Sequence, residues 1–78
     1  MSDTTFDYEL DAKGLMCPEP VMMLHKQIRS MKSGEVVKVE ATDPSTTRDI
    51  PQFCNMLEHT LRFQAEVEKT YTFYIEKK

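Results

Sequence analysis

The chain has 78 residues, 40% of them hydrophobic, with ten Lys and Arg against thirteen Asp and Glu for a net charge of −3. That length gives one domain, 1–78, with one core, and its two cysteines make neither a disulfide framework nor a zinc quartet. The negative balance argues against an unaided grip on nucleic acid, where phosphate neutralisation supplies most of the affinity, and no apolar run approaches a membrane span.

Residues 1–5 are polar and are expected to fray. The start is acidic and shows no signal-peptide pattern, so with few cysteines a cytoplasmic location is expected. Phe6, Tyr8 and Leu10 alternate with Asp7 and Glu9, which predicts a first strand. Asp11-Ala12-Lys13-Gly14 reads as a turn, with Gly14 free to take a positive φ. A helix is expected from about Pro18 to Met31, with Val21, Leu24, Ile28 and Met31 on one side and Gly34 near its C-terminal cap. Glu35–Ala41 predicts a second strand, Val37, Val39 and Ala41 pointing one way.

A polar connection, Thr42 to Thr47, leads to a second helix ending near Leu61. Its apolar stripe is Ile50, Phe53, Cys54, Leu57 and Leu61. Pro51 belongs in a first turn, which places the cap near Arg48 or Asp49, or slightly earlier in Ser45-Thr46-Thr47. Two closing strands, about Phe63–Glu68 and Tyr71–Glu76, are joined by a short connection and should form an antiparallel hairpin. The expected fold is α/β: a βαβαββ two-layer sandwich with two helices on one face of a four-stranded sheet.

The chemistry concentrates in Gly14-Leu15-Met16-Cys17-Pro18-Glu19-Pro20. A proline biases the preceding residue to extended geometry, so Cys17 cannot lie inside a helix. Pro18 suits the first helical position and Pro20 the first turn. Cys17 is thereby expected at the N-cap, exposed, with Glu19 in the first turn. A helix N-terminus stabilises a thiolate, but two prolines remove donors and Glu19 opposes the charge, so a modest pKa depression is expected. Lys13 could add positive potential. Cys54, on the apolar stripe, reads as buried and inert.

No base is visible beside Cys17. His25 lies eight residues on, at the edge of the apolar stripe, and His59 falls late in the second helix. No resolving cysteine sits nearby, and no cofactor or metal is implied. One reactive sulfur without machinery suits a carrier better than a catalyst. Met23, opposite the apolar stripe, with Met22 on its flank, offers an adaptable partner contact. Lys26, Arg29 and Lys32 form a basic strip that could steer an acidic partner, although cations also suit a helix C-terminus.

These residues resemble the TusA family of sulfur carriers. Its pattern Asp-x-x-Gly-x-x-Cys-Pro-x-Pro stands complete as Asp11, Gly14, Cys17, Pro18 and Pro20. A second block, Asp43-Pro44-Ser45-Thr46-Thr47-Arg48-Asp49-Ile50-Pro51 with Phe53-Cys54 and Glu58-His59, is similar to the TusA subgroup itself. The resemblance spans about residues 10 to 77. It implies a mixed sheet of strand order 1-2-4-3, similar to the C-terminal domain of a bacterial translation initiation factor. It also implies that a cysteine desulfurase passes sulfur to Cys17 as a persulfide, and that a downstream relay protein carries it toward thiolation of a tRNA wobble uridine. Direct RNA binding is not required. Three other readings stay open: a thiol redox enzyme using Cys17 and Cys54, a carrier for another route such as molybdenum-cofactor synthesis, and an RNA-binding module suggested only by fold analogy.

Overall fold

The computed structural model describes residues 5–78. Apart from Thr5, the stretch expected to fray lies outside the described residues. Six elements follow in the order β1 (Tyr8–Ala12), α1 (Glu19–Arg29), β2 (Val36–Ala41), α2 (Thr46–Leu57), β3 (Thr60–Val67) and β4 (Thr70–Glu76). The sheet order is β1-β2-β4-β3. β1 and β2 are parallel, while β4 is antiparallel to both β2 and β3. The βαβαββ order, the mixed sheet and the strand order all agree with the sequence reading.

Alternating side chains build the core. Ala12, Val37, Val39, Ala41, Tyr71, Phe73 and Ile75 on the sheet meet Leu24, Ile28, Ile50, Phe53 and Cys54 from the helices. Both helices therefore cover the same face. α1 contributes Pro20, Leu24 and Ile28, spaced four apart so that they share one side of the helix.

Several boundaries differ from expectation. β1 begins at Tyr8 and continues through Ala12, because the parallel register with β2 extends to the pair Ala12 and Ala41. Phe6 leaves the expected alternation and packs on the opposite face, its ring 6.0 Å from that of Tyr74. α1 stops at Arg29 with Ser30 as its C-cap. Met31 is buried beyond the helix, and Gly34, at φ +89°, forms the turn into β2.

α2 is capped by Ser45, so the earlier of the possible starts is the real one, and Pro51 lies in the second turn. The helix ends at Leu57 because Glu58 turns left-handed, at φ 64°, and His59 N–H donates to Cys54 O at 2.9 Å. His59 and Leu61 are consequently not helical, and Leu61 pairs with Ile75 in β3. A bulge between Leu61 and Phe63 then exchanges the two faces of β3. Phe63 pairs with Tyr74 on the face of the sheet away from the helices, ring centroids 5.8 Å apart.

Candidate functional site

The carboxyl ends of the parallel pair β1 and β2 lie side by side, and each feeds a loop into a helix. Ligand and reaction sites in open α/β sheets favour this position. The two loops are stitched together. Gly14, at φ +84°, donates its N–H to Thr42 Oγ1 at 2.9 Å. Cys17 N–H donates to Asp43 Oδ2 at 2.6 Å, while Asp43 Oδ1 accepts from Ser45 N–H at 3.0 Å. Asp43 thus holds the backbone of Cys17 against the entry to α2.

Cys17 is exposed, as expected. It stands one residue before the N-cap rather than at it, because Pro18 takes the cap and the helix begins at Glu19. The Cys17–Pro18 peptide bond is cis. Pro20 is fully buried in the first turn, and Glu19 is exposed there. Helix dipole support for the sulfur is poor. Pro18 and Pro20 have no amide proton, and that of Glu19 is donated to Met16 O at 2.9 Å.

The thiol instead donates to a carboxylate. Cys17 Sγ lies 3.1 Å from Asp49 Oδ2, and Arg48 Nε holds the other oxygen of Asp49 at 2.9 Å. The expected pKa depression is therefore reversed. The hydrogen bond to Asp49 raises the Cys17 pKa first, followed by partial desolvation and the negative charges of Asp49 and Asp43. Nearby Ser45 acts the other way, favouring a charged sulfur, and its buried hydroxyl has no hydrogen-bond partner within bonding geometry among the described residues. Asp49 is held below the usual carboxylate range by the Cys17 and Arg48 hydrogen bonds. Asp43 is likewise lowered by the amides of Ser45 and Cys17. Lys13 is paired elsewhere, its Nζ lying 3.4 Å from Glu40 Oε1.

A groove between the helices opens next to Pro18 and Asp49, the chain neighbour and the hydrogen-bond partner of Cys17. Its near end is lined by Pro18, Val21, Asp49, Gln52, Phe53 and Met56. It widens to about 610 Å³ between Val21, Met22, His25, Lys26 and Arg29 on one side and Phe53, Met56 and Leu57 on the other. Met22 and Met56 are 63% and 70% exposed, so the walls are apolar yet solvated. Lys26 and Arg29 line this groove. Met23 is also exposed but faces another hollow, with Leu10, Lys26, Gln27 and Ser30. Of the two α1 methionines, Met22, expected on the flank, is the one that fronts the groove, facing Met56 of α2.

The histidines belong to the packing around Phe53. His25 meets that ring edge-on with centroids 5.7 Å apart, and His59 lies at the same distance on a tilt. Cys54 is 2% exposed, and burial pushes its thiol up to about 11. No cluster of metal-ligating side chains occurs among the described residues, and no helix there is long and apolar enough to cross a membrane. Asp43, Ser45 and Asp49 are the site residues that sequence reasoning missed as chemistry. Their available signal was position: they follow the strand expected to run parallel beside the one that delivers Cys17.

A small α/β sandwich with a lone exposed thiol at its strand ends and a solvated apolar groove beside it suits a protein that carries a group between partners. Residues 8–77 match the family described as Sulfurtransferase TusA. The chain is 58% identical to the "Sulfur carrier protein TusA" of Pseudomonas putida strain W619 over its full 78 residues, covering 98% of that protein. It is also 58% identical, with the same coverage, to that of Pseudomonas entomophila strain L48. Among solved structures it is similar to a SirA-like protein from Desulfitobacterium hafniense, with a TM-score of 0.79 at 19% identity, covering 90% of this chain and 96% of that one. The chain belongs to the TusA family of sulfur carrier proteins.

Proposed function

We propose that Cys17 carries sulfur as a persulfide, accepting it from a cysteine desulfurase and passing it to a downstream relay protein whose route ends in thiolation of the tRNA wobble uridine. The observation that carries this reading is the exposed Cys17 sulfur, hydrogen-bonded to Asp49 beside a methionine-walled groove. The transfer balances without an external oxidant. Cys17 loses its thiol proton and attacks the outer sulfur of the donor persulfide. The donor S–S bond breaks, and the donor cysteine leaves as a thiolate that takes up a proton. The products are the Cys17 persulfide and a donor thiol. The protein acts as substrate and donor of other enzymes, in the cytoplasm, without holding RNA itself. Lys26 and Arg29 on the groove wall, and Met23 on the adjoining face of α1, serve partner docking.

Incubation with a cysteine desulfurase and cysteine, followed by intact mass, tests the reading. One added sulfur atom is expected, retained in Cys54→Ser and absent in Cys17→Ser. Sulfur that stays when Cys17 is replaced would sink it. The same loaded protein offered to acceptors of the tRNA and molybdenum-cofactor routes separates those two destinations. A redox pair of Cys17 with Cys54 is disfavoured by the burial of Cys54.

A further inference from the structure

The charged and polar groups at the Cys17 sulfur come from one side. Asp43, Ser45, Arg48 and Asp49 all belong to α2 or the loop before it. From α1 the nearest charge in sequence is Glu19, which lines a different hollow with Leu15, Met22 and Met23. Within this cluster the thiol proton points at Asp49 Oδ2 over 3.1 Å, and Arg48 fixes the carboxylate by its other oxygen.

We infer that Asp49 is a positioning residue that holds Cys17 as a neutral thiol in the free carrier, so that ionisation of the sulfur is favoured when a partner engages that carboxylate. Its purpose rests on the carrier reading above, but its geometry does not. The thiolate is the attacking species. Forming it beside Asp49 would lose a hydrogen bond and bring two negative charges together, so the free protein keeps its proton. Oxidation and adventitious alkylation follow thiolate character and exposure, and an exposed carrier sulfur needs protection from both. A cationic group on a partner, a lysine or arginine, would pair with Asp49 and remove the repulsion. Ser45 Oγ is buried beside the sulfur without a hydrogen-bond partner, and it would donate to the sulfur once charged.

Alkylation of Cys17 by iodoacetamide across a pH series, read by intact mass on the free protein, tests this without any desulfurase. Asp49→Asn keeps the side-chain shape and removes the charge. Its alkylation profile is expected to move to lower pH. For each pH unit moved, thiolate rises tenfold and its nucleophilicity falls about threefold, leaving a net gain of about threefold in rate below the inflection. A profile that overlays the wild type, with circular dichroism unchanged and Cys54 still unlabelled, would overturn the inference. Should Asp49→Asn not fold, the ultraviolet thiolate absorbance of Cys54→Ser, which leaves Cys17 as the one thiol, decides. An inflection above that of a free cysteine supports the inference, and one at or below it overturns it. Failure of persulfide loading would not alter these alkylation results, and an unchanged Asp49→Asn profile would not alter loading.

Discussion

Three side chains near the thiol act on it in three ways. Asp43 holds the backbone amides of Cys17 and Ser45, whereas Asp49 bonds the sulfur itself. The pKa of Asp43 is depressed in the folded protein. Its contribution to stability is therefore present above the ordinary carboxylate value and lost as pH falls through the depressed one. Urea midpoints measured down an acid series should show this loss in the wild type and a shallower one in Asp43→Asn. An identical slope in both would mean that the loop tie contributes nothing. Ser45 presents the opposite case. It is the N-cap of α2, yet its hydroxyl makes no capping bond. Ser45→Ala should accordingly escape the usual cap loss of about 1 kcal/mol and leave stability level or slightly raised. The same variant should slow Cys17 alkylation, because the group that favours the charged sulfur is gone. A stability loss of the full capping size in urea melts would show that the hydroxyl has a partner in solution.

At the scale of elements, the end of α2 carries a conformational cost. Glu58 occupies the left-handed region with a Cβ, and its side chain pairs with exposed Lys78. An exposed ion pair contributes little, so Glu58→Gly should stabilise the protein by roughly 0.5–1 kcal/mol as left-handed strain is relieved. A lowered urea midpoint would contradict this. The same junction shows where the sequence was silent. Leu57 and Leu61 continue a four-residue spacing, and no glycine announces a stop, so a helix to Leu61 was the natural expectation. Pairing of Thr60 and Leu61 with β4 decides otherwise, and it is a long-range fact that local spacing cannot carry. The bulge after Leu61 is of the same kind. By contrast, β2 and β4 alternate over their length, and the two prolines after Cys17 limit where α1 can begin. Those elements, and the exposure of Cys17, were legible. Asp49 was not legible as a sulfur ligand, since its contact spans 32 residues of chain.

Across the whole molecule, a single core supports the site from beneath. The helices that flank the groove are held on the sheet by Leu24, Ile28, Ile50 and Phe53, while the sheet's other face carries Phe6, Phe63 and Tyr74. For 78 residues a total stability of roughly 4–12 kcal/mol is expected, at about 0.05–0.15 kcal/mol per residue. Leu24 has no exposed surface, and Leu24→Ala should cost about 2–5 kcal/mol, a large share of that total. The two cysteines make the loss measurable in one experiment. Cys17 is reachable in the native state, whereas Cys54 sits in the core with a raised pKa and reacts only when the core opens. When reclosing outpaces labelling, the rate at Cys54 follows the population of opened protein. Leu24→Ala should hence speed Cys54 alkylation about thirtyfold at the lower end of that cost, while Leu24→Met, with similar volume, changes it far less. Cys17 should label at nearly the wild-type rate in both, because its reactivity is set by the Asp49 contact at the strand ends rather than by the core. If Cys54 labelling stayed constant in Leu24→Ala while urea melts recorded the loss, Cys54 would have to be reached by a local path that leaves the core closed.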